Sequence, residues 1–356
     1  MFYRFCLCAL LNIFCTLMEI FGIEFAPLNV PLERRLQTLA AAAWMITMAF
    51  GGFIGSLLII YLLLFSKLWW LASIYLIWIY TDRDVCERGG RPIKWVRSWR
   101  WWKYNQDYYP LRFEKVPFVE LDPKKNYLFC SFPHGMLSCG AFNAFATEYS
   151  EYRSYFPYHE PRVVTLSQHY YMPLFRDLAL SMGGISASAK AIDYILSRPE
   201  GGHVCVLMVG GAAEAYYCKP GNYRLVLNNR RGFVKLALIN GTPLVPVFNF
   251  GEIDLFDQIE GQRLRNFQEV LRKYIGLAPV IPIGRGFFQY SFGIIPRRRV
   301  VTTVVGRPID VPKIENPTKQ QIDEYHKIFV EKLKELFEEQ KHNYLENAEE
   351  KQLIIE

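Results

Sequence analysis

The sequence predicts an α/β domain with a mixed or mostly parallel sheet flanked by helices, preceded by an N-terminal hydrophobic hairpin. Three observations predict it. Residues 39–66 carry no charged side chain, and 68–80 are apolar again after Lys67. Beyond about residue 117, short runs rich in Val, Leu and Phe alternate with helical stretches. Arginine and lysine gather on both outer flanks of the apolar pair, while only Lys67 lies between its arms.

The elements follow in chain order. Residues 1–35 form an apolar N-terminal segment. Its first 25 residues have the outline of a signal peptide, but Glu19, Glu24 and the lack of a small-x-small cleavage site favour an apolar membrane-associated segment. Residues 36–81 are the transmembrane or re-entrant hairpin. The run 39–66 exceeds the ~20 residues a helix needs to cross a bilayer, whereas 68–80 is too short to cross alone. Gly51 and Gly55 have the small-xxx-small spacing that lets membrane helices approach each other. The flanking Arg34, Arg35, Arg83, Arg88, Arg91 and Lys94 put both ends in the cytosol by the positive-inside rule.

Residues 82–116 read as a basic, Trp-rich interfacial linker. Trp69, Trp70 and Trp78, then Trp95, Trp99, Trp101 and Trp102, suit an aromatic belt, with an ordinary core cluster as the plain alternative. Residues 117–345 form the α/β domain. Its expected strands are 127–132, 162–166, 203–209, 244–250 and 300–305. A helix is expected over 231–239, closed by Asn240-Gly241. The last helix starts near Thr318 with a capping box to Gln321 and buries Ile322, Tyr325, Phe329, Leu333 and Leu336 on one face. Residues 346–356 are a charged tail expected to fray.

A net charge of +7 without zinc-finger, RNP or basic-zipper patterns argues against a nucleic-acid partner. It suits an anionic membrane face or an anionic ligand instead. The eight cysteines include no C-x-x-C pair, so no metal site is expected and the thiols read as reduced and buried.

Three constellations carry chemistry. Phe132-Pro133-His134-Gly135 falls between a strand and a helical pattern over 136–148. An imidazole there is a general base with an ordinary pKa of ~6.5. Pro133 fixes φ, Gly135 permits close backbone approach, and nearby N–H groups face a developing oxyanion. Taken alone, a His after Pro is more often structural. Second, Val209-Gly210-Gly211-Ala212-Ala213-Glu214 sets a carboxylate past a strand end, where it orients His134 or accepts from a hydroxyl. A glycine turn with a solvated Glu fits equally well. Third, Arg230, Arg231 and Lys235 at a helix start form an anion site or merely a solvated basic turn. No G-x-S-x-G elbow, P-loop or dinucleotide fingerprint is present.

Together the segments "GGRPIKWVRSWRWWKY", "FPHGMLSCGAF", "VGGAAE", "NRRGFVKLALINGTPLVPVFNFGE" and "TTVVGRPIDVPKIENPT" resemble, in order, the type-2 diacylglycerol acyltransferase family, which includes monoacylglycerol and wax-alcohol acyltransferases. The likeness covers about residues 36–344. It implies a membrane-anchored enzyme that esterifies a neutral glycerolipid, diacylglycerol first, with monoacylglycerol or a long-chain alcohol as alternatives. It implies acyl-CoA as co-substrate with no separate cofactor, a compatible homo-oligomeric state, and the endoplasmic reticulum membrane or lipid droplet, with the domain facing the cytosol. On this resemblance His134 is the base, Glu214 the orienting acid with Glu148 second, and Arg230, Arg231 and Lys235 hold CoA phosphates. The family's usual His-Pro-His-Gly has Phe132 in its first place here. Cys139 stands where wider glycerolipid acyltransferases carry the Asp of His-x4-Asp. A catalytically silent membrane scaffold is the rival from another class.

Overall fold

The computed structural model describes residues 18–27, 29–117, 119–259, 261–275 and 280–356. The expectations for 1–17, with Cys6, Cys8 and Cys15, lie outside the described residues. The seven-stranded sheet comprises β1 (Arg112–Lys115), β2 (Tyr127–Phe132), β3 (Glu160–Thr165), β4 (Gly184–Ser186), β5 (His203–Met208), β6 (Leu244–Phe250) and β7 (Thr302–Val305). Its order is β1-β7-β6-β2-β5-β3-β4. The five strands from β6 to β4 are mutually parallel, β7 runs antiparallel to β6, and β1 is parallel to β7. This is the mixed, mostly parallel sheet the sequence implied. Both faces are covered, so β2 and β6 are buried at every position.

The helices that position the site are α1 (Leu32–Phe65), α2 (Trp69–Thr81), α3 (Cys139–Phe145), α4 (Ala189–Leu196), α5 (Gly232–Asn240) and α6 (Lys319–Tyr344). α6 starts at the expected capping box between Thr318 and Gln321, and Phe329, Leu333 and Leu336 are buried on its inner face. α5 ends where Gly241 adopts φ +65, a left-handed cap that glycine takes without Cβ strain.

α1 is about 50 Å long at 1.5 Å per residue. It is the one helix among the described residues long and apolar enough to cross a membrane, with a mean hydropathy of 2.3 in its most apolar window. Its C-terminal half carries most of the bare apolar side chains. Phe50, Phe53, Ile54, Leu57 and Leu64 are exposed, as are Trp69, Ile74 and Ile77 of α2 beyond the break at Ser66. The N-terminal half docks on the domain instead. Trp44 stacks on Phe142 at 3.9 Å and meets Trp102 edge-on at 5.4 Å. The two helices are tied down where they leave the exposed region. Tyr75 Oη donates to Asp177, Leu174 N donates to Tyr75 Oη at 2.7 Å, and buried Arg176 pairs with Asp82 and Asp177 at 3.0 Å.

Several expectations are corrected. The small-residue strip of α1 admits a loop of the domain, not a second membrane helix. A Cβ on Gly52 would collide with Met172 Sδ, and one on Gly55 with the Pro173 carbonyl oxygen. Gly55→Ala is therefore expected to cost about 1–3 kcal/mol by overpacking. A clearly lowered melting temperature of the detergent-purified protein is the readout, and an unchanged one would remove the glycine from this role. The segment 82–116 is no mere linker, because it supplies the edge strand β1. Trp95 is exposed, but Trp102 is buried and donates Nε1–H to the Val96 carbonyl at 2.7 Å, as a core residue. The helical pattern over 136–148 condenses to α3, since Gly135 at φ +59 and Ser138 at φ +52 turn the chain first. The tail does not fray. Ile354–Ile355 pairs in parallel with Arg224–Leu225, and the Glu356 carbonyl accepts from the amides of Leu227 and Asn228. The described cysteines, Cys86, Cys130, Cys139, Cys205 and Cys218, are buried and unpaired.

Candidate active site

Because β2, β5 and β6 are parallel neighbours, their C-terminal ends open on one edge of the sheet. Parallel α/β sheets bind their ligands outside such an edge. Each strand leaves there through a glycine-containing segment. β2 leads into Pro133-His134-Gly135, β5 into Gly210-Gly211 and Glu214, and β6 into Gly251-Glu252. The topology thus brings together an imidazole and two carboxylates from distant parts of the chain.

His134 is partly buried, and its backbone is held from both sides. Its N–H donates to Glu214 Oε2 at 2.6 Å, and its carbonyl accepts from Ser138 N and Oγ, each at 3.1 Å. Nδ1 lies 3.0 Å from the Gly135 carbonyl oxygen. A carbonyl only accepts, so this bond requires the proton on Nδ1 and leaves Nε2 as the basic nitrogen. Burial lowers the pKa of His134 below its ordinary 6.5, with the Gly135 bond opposing it. Phe132 and Pro133 are joined by a cis peptide. The Phe132 ring is fully buried, 6.2 Å from the Phe329 ring centroid, so the residue that departs from the family's motif is a core aromatic and lines no part of the site.

Glu214 is buried and touches the loop, not the ring. Its carboxylate accepts from His134 N and from Val226 N at 2.9 Å. A Cβ on Gly210 would collide with that carboxylate, which explains the first glycine of the pair. Gly211 has φ +58 with open space beside it. Burial pushes Glu214 up to about 7, with the two amides and Arg230 pulling it down. Val226 continues the Arg224–Leu225 strand that the C-terminal tail clamps. Deleting 353–356 is therefore expected to cost about 1–3 kcal/mol in lost hydrogen bonds and to lower activity by loosening Glu214. Full activity and an unchanged melting curve in the truncated protein would disconnect tail from site.

Glu252 had no role in the sequence reading, although it repeats the pattern of Glu214, a glycine then a glutamate past a buried strand. Its carboxylate closes the start of α3. Oε1 accepts from Cys139 N at 2.9 Å and Oε2 from Gly140 N at 2.7 Å. It also lies against the loop, since a Cβ on Gly135 would stand 2.6 Å from Glu252 Cγ. Burial pushes it up to about 7, opposed by those amides. The first amides of α3 are thus unavailable to an oxyanion. Those of Gly135, Met136 and Leu137 form no hydrogen bond among the described residues. Beneath the loop, Asn249 Nδ2 donates to Ser131 Oγ at 2.8 Å and to the Phe132 carbonyl at 3.2 Å, while its Oδ1 accepts from Thr303 Oγ1 at 2.8 Å.

The remaining candidates lie apart. Glu148 follows the far end of α3 and binds Arg97 Nε at 2.7 Å and Arg153 Nε at 3.6 Å. Arg231 is committed to Asp323 at 2.7 Å, and Lys235 is exposed. Arg230 reaches the Gly210 carbonyl at 3.3 Å, which leaves it near the Glu214 loop. Cys139, in place of an acid, is a buried thiol 3.4 Å from Tyr109 Oη, and burial pushes its pKa well up.

The chain matches the family profile described as Diacylglycerol acyltransferase over residues 61–356. It is 44% identical to 2-acylglycerol O-acyltransferase 1 of Bos taurus over 325 residues, covering 90% of this chain and 96% of that protein. It is 39% identical to Diacylglycerol O-acyltransferase 2 of Dictyostelium discoideum, again over 90% of this chain and 96% of the other. Among solved structures, a 1-acyl-sn-glycerophosphate acyltransferase from Thermotoga maritima is 12% identical at a TM-score of 0.38, covering 84% of this chain and 95% of that one.

Proposed function

The chain belongs to the diacylglycerol acyltransferase family, and on that premise we propose that His134 is the general base of its acyl transfer to a diacylglycerol hydroxyl. It is an acyltransferase that esterifies a neutral glycerolipid. The observation that carries the proposal is the Nδ1 bond to the Gly135 carbonyl, which leaves Nε2 basic on a loop tethered by two buried carboxylates.

Nε2 takes the proton of the acceptor hydroxyl as its oxygen attacks the thioester carbonyl of acyl-CoA. The new C–O bond forms and the C–S bond breaks. The departing CoA sulfur takes the proton back from Nε2–H, so the enzyme ends as it began. The amides of Gly135, Met136 and Leu137 are the candidate oxyanion donors, each of a kind worth about 10²–10³ in rate. Glu214 is a positioning residue that holds the His134 loop through the His134 amide, and Glu252 is one that caps the start of α3 and packs against Gly135. Of the basic trio, only Arg230 lies against the Glu214 loop, through the Gly210 carbonyl. The exposed half of α1 with α2 embeds in the endoplasmic reticulum membrane, the domain facing the cytosol as the flanking arginines favour.

A second acceptor, 2-acylglycerol, stands beside it, because the 44% identity is to a protein named for that substrate and the 39% identity to one named for diacylglycerol. The deciding assay uses microsomes from cells without neutral-lipid acyltransferases. Labelled oleoyl-CoA is supplied with diacylglycerol, 2-acylglycerol or a long-chain alcohol in parallel. Label in triacylglycerol from added diacylglycerol supports the first acceptor, label in diacylglycerol from 2-acylglycerol the second, and ester from the alcohol alone overturns both.

A further inference from the structure

Away from the His134 loop, the N-terminal end of α1 and the 285–298 loop enclose a cavity of about 260 Å³. Arg34, Arg35, Arg285 and Arg298 line it with Phe287 and Tyr290, and no acidic side chain among the described residues does. Arg34, Arg285 and Arg298 form no ion pair among the described residues. They are steered instead by neutral groups. The Arg285 guanidinium lies 4.1 Å from the Tyr290 ring centroid and that of Arg298 4.4 Å from Tyr108, while Arg298 donates to Gln37 at 2.6 Å. Burial, then the neighbouring Arg34 and Arg285 charges, lower Arg298 to about 10. Like charges this close are costly unless an anion joins them, and guanidinium groups match phosphate oxygens in geometry.

An apolar cluster links the cavity to the reaction loop. Phe287 packs into the apolar cluster that contains Cys139 and touches Met136 and Leu137, the residues that follow His134. We propose that this arginine pocket binds the phosphate groups of a ligand whose acyl portion runs along that cluster toward His134. Two sources carry such phosphates, the CoA portion of acyl-CoA and the headgroup of an anionic phospholipid. The CoA arm rests on the acyltransferase reading. It also moves the phosphates away from α5, where Arg231 is already paired with Asp323.

The test measures equilibrium binding to the full-length protein in phosphatidylcholine nanodiscs. CoA and dephospho-CoA are the soluble probes, and nanodiscs containing phosphatidic acid supply the lipid arm. Arg34→Gln is the first variant, because Arg34 is exposed and its side chain makes no hydrogen bond among the described residues, and Arg285→Gln is the second. If CoA is the source, each variant weakens CoA about ten-fold, the loss of one charge-assisted contact, and flattens its salt dependence. If the source is lipid, CoA affinity holds and phosphatidic acid affinity falls instead. Both probes within about two-fold of wild type in both variants, or CoA weakened by Arg230→Gln alone, overturns the proposal. Binding needs no turnover, so His134→Ala that binds CoA normally but makes no ester separates failure of this site from failure of the catalytic reading.

Discussion

His134→Ala is expected to lower kcat by about 10²–10⁴-fold, the usual worth of a general base, while leaving the fold and the KM for acyl-CoA nearly unchanged. The fold is spared because the imidazole makes no long-range bond among the described residues. Its ring bonds the carbonyl of the next residue, whereas the loop is held through the His134 amide and carbonyl, which alanine retains. The lowered pKa keeps Nε2 unprotonated near neutral pH, so the acidic limb of the wild-type rate should fall below pH 6.5. Activity is lost there as pH drops through the folded value, because protonated imidazole accepts no proton. Matched expression of wild type and variant in acyltransferase-deficient microsomes is the measurement. Ester formed at equal rates by both would remove His134 from the chemistry.

Glu252→Ala should cost both stability and activity. It strips the acceptors from two buried amides at the start of α3 and opens space against Gly135. An unsatisfied buried donor costs about 1–3 kcal/mol, so the pair comes to about 2–6 kcal/mol, enough to unfold a marginal domain. Glu252→Gln keeps one acceptor and turns an NH₂ toward the other amide, so it should fall between. The pH dependence follows from the raised pKa. Glu252 ionises near 4.5 when unfolded and near 7 when folded. Its protonated form therefore contributes stability fully below about 4.5, and that contribution is lost as pH rises through about 7. Glu214 adds the same slope. Melting temperatures from pH 4.5 to 7.5 should decline less steeply in Glu252→Gln than in wild type. Parallel curves would mean that the carboxylate stays ionised throughout.

Residues alone announced much of this molecule. β2 and β6 occur as expected because uninterrupted apolar runs suit strands covered on both faces. α6 begins at Thr318 because its capping box is local chemistry. The loop of His134 and the glycine pair before Glu214 were legible for the same reason, since turn residues mark the ends of buried strands.

What contacts each charge was not local. The sequence paired Glu214 with the imidazole, but tertiary structure gave it the backbone amide. Glu252 stayed unnoticed because its partners, Cys139 and Gly140, lie far back in the chain and meet it only when β6 is laid beside β2. The glycines of α1 marked a close approach, but it is Gly52 and Gly55 that admit Met172 and Pro173, because small residues state that something comes close without saying what. By itself the sequence determined the α/β class, the apolar hairpin and the loop that bears His134, since hydrophobic period, turn residues and caps act over a few residues. Strand order decided that two buried carboxylates hold that loop, and that four arginines share one cavity, because desolvation and charge pairing depend on neighbours that only the folded chain supplies.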